Sequence, residues 1–123
     1  MNALDKADAL KERTKQFAIR IVAVSRSLPC SREADVVAKQ LLRSGTAVAA
    51  NYRAVCRARS KAEFISKISI VVEEADETVF WLELLGDTGL APAAKLALVL
   101  KEANELVAIC AASLRTAKNN KAA

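Results

Sequence analysis

"SKAEFISKISIVVEEADETVFWLELLGDTG", residues 60–89, decides the fold. It opens on a capping box, in which the Ser60 hydroxyl can accept the Glu63 backbone N–H while Glu63 reaches back. It closes on Gly86-Asp87-Thr88-Gly89, a C-terminal helix stop. Between these signals Phe64, Ile68, Val71, Ala75, Thr78, Leu82 and Leu85 recur at steps of three and four, the spacing of one helix face. A second stripe, Ile70, Glu74, Glu77, Trp81 and Leu84, lies about 100° around the same helix. A bundle helix needs only one buried stripe. The second, which holds the chain's only tryptophan, points to contact with another subunit. Glu73, Asp76, Glu83 and Asp87 are left for the outer face.

Working outward, the remaining breaks are few. Leu28-Pro29-Cys30-Ser31 ends one helix and starts another, with Ser31 as N-cap and Glu33 and Asp35 in the first turn. Pro92 fits the first turn of a last helix. The apolar seams are Leu10, Phe17, Ile21, Val24 and Leu28 in the first helix and Val37, Leu41, Ser44, Val48, Asn51 and Val55 in the second. The fourth contributes Leu96, Ala103, Leu106, Cys110 and Leu114. This spacing with short connections predicts an all-α, antiparallel up-down-up-down four-helix bundle, one domain over residues 1–123. The helices are placed near 3–28, 31–59, 61–86 and 92–118, with a basic tail from Lys118 to Ala123 that frays.

Composition narrows function more than it names it. The 123 residues include no histidine, which removes the commonest general base, the Ser-His and Cys-His pairs and the usual nitrogen metal ligand. Cys30, Cys56 and Cys110 lack paired spacing and are read as buried small apolar residues in a reducing compartment. The charged N-terminus is unlike a signal peptide, and no window approaches about eighteen uninterrupted apolar residues, so the expectation is a cytoplasmic protein without a membrane partner. Neither a cofactor nor an enzymatic activity is signalled. The net charge of +5 gives a mild attraction to polyanions.

That charge is concentrated. Residues 39–61 hold six positive charges and no negative one: Lys39, Arg43, Arg53, Arg57, Arg59 and Lys61. On the second helix, Lys39, Arg43, Arg53 and Arg57 fall within about 80° of one another, opposite the apolar seam. Thr46 and Ala50 make the middle of the stripe small and flat. Three readings stand: contact with RNA or DNA phosphates, pairing with an acidic face across a helix or subunit interface, or a solvated surface. Tyr52 is the stretch's only aromatic, so base stacking is not signalled.

Other polar groups need partners. Ser44 and Asn51 fall in the core seam, Asn51 as a register-setting contact. Gly45 costs about 1 kcal/mol of helix propensity unless a neighbour requires the space. Glu74 and Glu77 are read as structural carboxylates ion-paired to Arg13, Arg20 or Arg43, with a metal or acid/base pair and plain solvation as the other options.

Residues 40–85 resemble the signature of the bacterial S23, or large-subunit ribosomal RNA intervening-sequence, proteins, through Gln40, Arg43, Ser44, Val48, Asn51, Ser60, Glu63, Phe64, Glu74 and Glu77. Ala47 stands where many members have serine, and Ala54 where many have glutamate. The resemblance implies a four-helix bundle assembled as a homopentamer. It also brings in related retroelement accessory proteins, basic pentamers that bind nucleic acid and a reverse transcriptase. The functional expectation is a non-catalytic oligomer that contacts RNA or DNA through the basic stripe. The alternative is a structural or adaptor oligomer for another protein, with the stripe used in subunit assembly.

Overall fold

A computed structural model describes residues 2–120, and its four helices are α1 (Ala3–Arg26), α2 (Arg32–Cys56), α3 (Lys61–Asp87) and α4 (Ala93–Asn119). Their 24 to 27 residues make rods about 36 to 41 Å long. Side chains cap three of the four N-termini. Asn2 Oδ1 accepts from Asp5 N at 2.9 Å, Ser31 Oγ from Ala34 N at 3.2 Å and Ser60 Oγ from Glu63 N at 3.0 Å. Each cap satisfies a backbone donor that the first turn leaves open. Glu63 does not close the capping box; its carboxylate lies 3.6 Å from Arg59 Nε instead.

The helix ends differ from the sequence reading in physically simple ways. α1 stops at Arg26, because Leu28 precedes a proline and is pushed out of helical geometry. α2 ends at Cys56, and Arg57 is its C-cap, so the basic run past that point lies off the helix. Pro92 sits at the N-cap of α4 with extended backbone, one position before the first turn. At the end of α3, Gly89 takes φ +73°, which only glycine adopts cheaply, and Ala91 N returns to the Leu85 carbonyl at 3.3 Å. The helix of α4 persists through Lys118 and Asn119, where fraying was expected, and residues 121–123 of the expected tail lie outside the described residues.

Each helix packs on its sequence neighbours, and α1 meets α4 along a thinner seam that closes the bundle. The backbones of the diagonal pairs stay apart. Short connections between long helices force the antiparallel order. Phe17, Ile21, Leu41, Val48, Ile68, Val71, Leu82, Leu85 and Leu106 are at most 1% exposed, as the apolar spacing requires. Burying each large aliphatic side chain contributes about 1.5–3 kcal/mol. The reading of α1 missed Thr14, fully buried with its hydroxyl donating to the Lys11 carbonyl, and that of α4 missed Val99.

Gly45 explains the close α1–α2 crossing. A Cβ there would lie 2.7 Å from Ile21 Cγ2 and 2.8 Å from Cγ1, so the stiff, fully buried isoleucine occupies the space that glycine leaves. The α1–α4 seam is fastened differently. Arg13 grips Glu102 with two hydrogen bonds of 2.7 Å and also reaches Glu105 at 3.1 Å. That grip holds the Glu102 carboxyl below its ordinary range and raises the guanidinium.

The cysteines divide. Cys110 is buried, and burial pushes its thiol up to about 11, whereas Cys30 in the first connection and Cys56 at the end of α2 are exposed, contrary to the reading of all three as core residues.

Candidate functional site

The six cations expected to form one stripe do not form one surface. Arg43 is held by α3: its Nη1 donates to Glu74 Oε2 at 3.0 Å and to Oε1 at 3.1 Å, and its Nη2 donates to Glu77 Oε2. Gln40 Oε1 accepts from Arg43 Nε at 3.3 Å, and Trp81 Nε1 donates to Glu77 Oε2 at 3.0 Å. Of the three arginines considered for Glu74 and Glu77, the fold selects Arg43. The Trp81 indole first, and Arg43 with it, hold the Glu77 carboxyl below its ordinary value. Behind this cluster, Thr78 Oγ1 lies 2.9 Å from Ser44 Oγ and 2.7 Å from the Glu74 carbonyl, so Ser44 has the core partner it needed.

The other cations have separate fates. Arg59 lies in the connection beside Glu63, and Lys61, the first residue of α3, donates to the Asn120 carbonyl at the far end of α4. Lys39 is exposed on α2, fourteen positions before Arg53 and about 21 Å from it along the axis. Only Arg53 and Arg57 of the six share a groove.

That groove has a volume of about 710 Å³ and lies over the outer face of α2, with α1 and α3 as its banks. Thr46, Ala49, Ala50 and Ala54 form a recessed floor. Lys11 and Lys15 enter from α1, Arg53 from α2, Arg57 from the C-cap of α2 and Lys67 from α3. None of these five cations makes an ion pair among the described residues. Of the two carboxylates at the rim, Glu63 faces Arg59, while Glu12 accepts from the neutral Gln16 amide at 3.0 Å and keeps its charge, so cations outnumber carboxylates in the lining by five to two. Small residues create the depression, because long side chains on both neighbouring helices rise above alanine.

One reading of a polar residue changes. Asn51 is half-buried, and its Nδ2 donates to the Ala47 carbonyl of its own helix at 2.9 Å, so within one chain it sets no register between helices. Tyr52 takes the core position beside it at 7% exposure, and burial, then Cys56, pushes its phenol up. Ile70, Glu74, Glu77, Trp81 and Leu84 are all half-buried, and Phe80, 52% exposed, meets the Trp81 ring edge-on with centroids 4.8 Å apart.

Residues 8–112 match the family model of the 23S rRNA-intervening sequence protein, a span that includes the whole groove and the Arg43 cluster. The chain belongs to that family. A crystal structure of an S23 ribosomal protein family member of unknown function from Bacteroides thetaiotaomicron VPI-5482 is 34% identical, with a TM-score of 0.83. The match covers 90% of this chain and 99% of that one. No curated protein matches the chain. For this member of the intervening-sequence family, the sequence reading missed Lys11, Lys15 and Lys67, the groove cations on the two banks. Their signal was present but non-local: they become neighbours of Arg53 only once the antiparallel order of α1, α2 and α3 is known.

Among the described residues no helix is long and apolar enough to cross a membrane, and no group of three or more His, Cys, Asp or Glu is placed to hold a metal ion.

Proposed function

We propose that the chain is a non-catalytic, oligomeric accessory protein of the cytoplasm that binds the phosphate backbone of RNA or DNA in the α2 groove. The observation carrying this reading is the meeting of five unpaired cations from three helices over a recessed floor. Arginine forks straddle phosphate oxygens and lysines supply point charges, while rigid helices hold both in place. Such contacts release counterions and read no bases, so affinity depends on salt more than on sequence.

An acid/base role for Glu74 and Glu77 runs against their surroundings. A general acid at neutral pH needs a raised carboxyl, and Trp81 and Arg43 act on Glu77 in the opposite direction. The half-buried Ile70, Trp81 and Leu84 support a second copy completing their burial, with five copies closing a ring. Arg43 already balances the stripe's carboxylates within one chain. The second reading, a structural or adaptor oligomer for a protein partner, draws on the exposed Glu73, Asp76, Glu83 and Asp87, which also lack ion pairs among the described residues and could meet a neighbour's groove.

Retention of a labelled duplex or structured RNA, titrated between about 50 and 200 mM salt, separates the two. The proposal expects steep weakening with salt, loss of binding in the Arg53→Glu, Arg57→Glu double variant, and an unchanged mass by light scattering. Absence of retention at low salt, or dissociation of the double variant into single subunits, assigns the cations to assembly instead.

A further inference from the structure

On the nucleic-acid reading of the groove, we infer that its ligand is double-helical, with the backbone of one strand lying along α2 and no base entering the site. The groove offers charge for a backbone and no surface for a base. Its lining has five cations, the carboxylates of Glu12 and Glu63 and a floor of small residues, but no aromatic ring. Tyr52, the one ring in this part of α2, is turned into the core. Phe80 and Trp81 lie thirteen and fourteen positions beyond Lys67 on α3, about 20 Å away along the axis.

A single strand bound here gains its phosphate contacts while its bases stay unstacked in water. Proteins built for single strands recover that loss with stacking platforms, each worth about 1–3 kcal/mol per base. A duplex has no such loss, because its bases are paired and stacked before it arrives. Its stiffness, with a persistence length of about 50 nm, also means that little freedom is lost when the backbone is fixed.

The dimensions agree. From Thr46 on the floor to Arg57 at the C-cap of α2 the groove runs eleven positions, about 16 Å along the helix axis. Consecutive phosphates of one B-form strand rise 3.4 Å or so along the duplex axis but lie about 7 Å apart along the strand itself, so a backbone lying along α2 sets about two to three phosphates over that length. Five cations stand beside them, Lys11 and Lys15 on one bank, Lys67 on the other, and Arg53 and Arg57 rising from α2 between. Two to three neutralised phosphates per groove give a salt slope of about −2 to −3 for a duplex and about −1.5 to −2 for a single strand.

The test compares four probes on the full-length chain at one salt concentration: a 20-bp RNA duplex, a 20-bp DNA duplex, oligo-U and oligo-dT of 20 nucleotides. Fluorescence anisotropy is expected to give at least ten-fold tighter binding to each duplex than to the single strand of the same sugar. Comparing the two duplexes tells which backbone form fits better. Single strands that bind as tightly as the duplexes, with the duplexes still retained, overturn the double-helix inference and leave the phosphate-binding reading standing. No binding of any probe at 50 mM salt overturns both. Ala50→Trp supplies the missing ring on an exposed floor position and is expected to improve oligo-dT binding several-fold without improving duplex binding; an equal gain for both contradicts the inference.

Discussion

Two arginine clusters on one helix make the useful comparison. Arg43 and Arg53 lie ten residues apart on α2, on the same side by helical spacing, and look alike in the sequence. Beside Arg43, α3 supplies Glu74, Glu77 and the Trp81 indole, and every polar group there has a partner. Beside Arg53 and Arg57, α3 supplies Lys67 and Glu63 and α1 supplies Lys11, Lys15 and Glu12, and none of the five cations is ion-paired among the described residues. The difference lies in the neighbours, not in the arginines. Charge already answered within the chain fastens α2 to α3. Charge left unanswered on three helices raises the potential over the groove and costs fold stability through mutual repulsion, which a polyanion relieves.

The largest expected effect comes from reversing the unanswered cluster. Arg53→Glu with Arg57→Glu should remove duplex binding at 100 mM salt, measured by anisotropy, while far-ultraviolet circular dichroism stays helical because both side chains are exposed. A gentler change makes the groove resemble the Arg43 cluster. Ala50→Glu places a carboxylate on the exposed floor, three residues before Arg53, and should weaken binding about ten-fold, the effect of roughly one lost phosphate contact.

Stability of the platform is a separate matter. Gly45→Ala gains about 1 kcal/mol of helix propensity but drives a methyl group into Ile21, and overpacking of this kind costs about 1–3 kcal/mol. The net result should be a melting temperature several degrees lower, partly restored by Ile21→Val in a double-mutant cycle.

Fold was legible in the sequence because its determinants are local. Ser31, Ser60 and Gly89 act on the turn they belong to, and the steps of three and four in α3 need no knowledge of the other helices. Even Gly45 announced a close neighbour, though not that the neighbour was Ile21. The site was half legible. Arg53 and Arg57 were found, but Lys39 and Arg43 were grouped with them because a helical wheel describes one helix at a time, and Arg59 and Lys61 because they follow in sequence. Counting in opposite directions from the Ser44–Thr78 contact brings Arg53 alongside the Lys67–Ser69 turn and separates the clusters, but that contact belongs to the fold. Cys30 and Cys56 were misplaced for a related reason: residue type favoured burial, whereas position after Pro29 and at the end of α2 decided exposure.

The answered charges should reveal themselves in acid. Glu77 and Glu102 both have folded-state values below the ordinary 4.5, so their stabilisation is complete above that value and is lost as pH falls through the lower folded values. Thermal melts between pH 7 and pH 3 should therefore decline below about pH 4.5, and Glu102→Gln should decline less steeply than wild type. A variant that declines just as steeply removes Glu102 from the account. The smallest expected effect is Arg43→Gln, which should leave duplex affinity within about two-fold of wild type because its charge is already engaged.

The slope of log affinity against log salt for a duplex, measured side by side in wild type, Arg53→Gln with Arg57→Gln, and Arg43→Gln, tests the central distinction most directly. Removing two phosphate contacts should make the slope shallower by about 2 in the groove variant, while Arg43→Gln keeps the wild-type slope. An Arg43→Gln slope that falls as far per arginine removed as that of the groove variant would contradict the account, because the paired and unpaired arginines would then be doing the same thing.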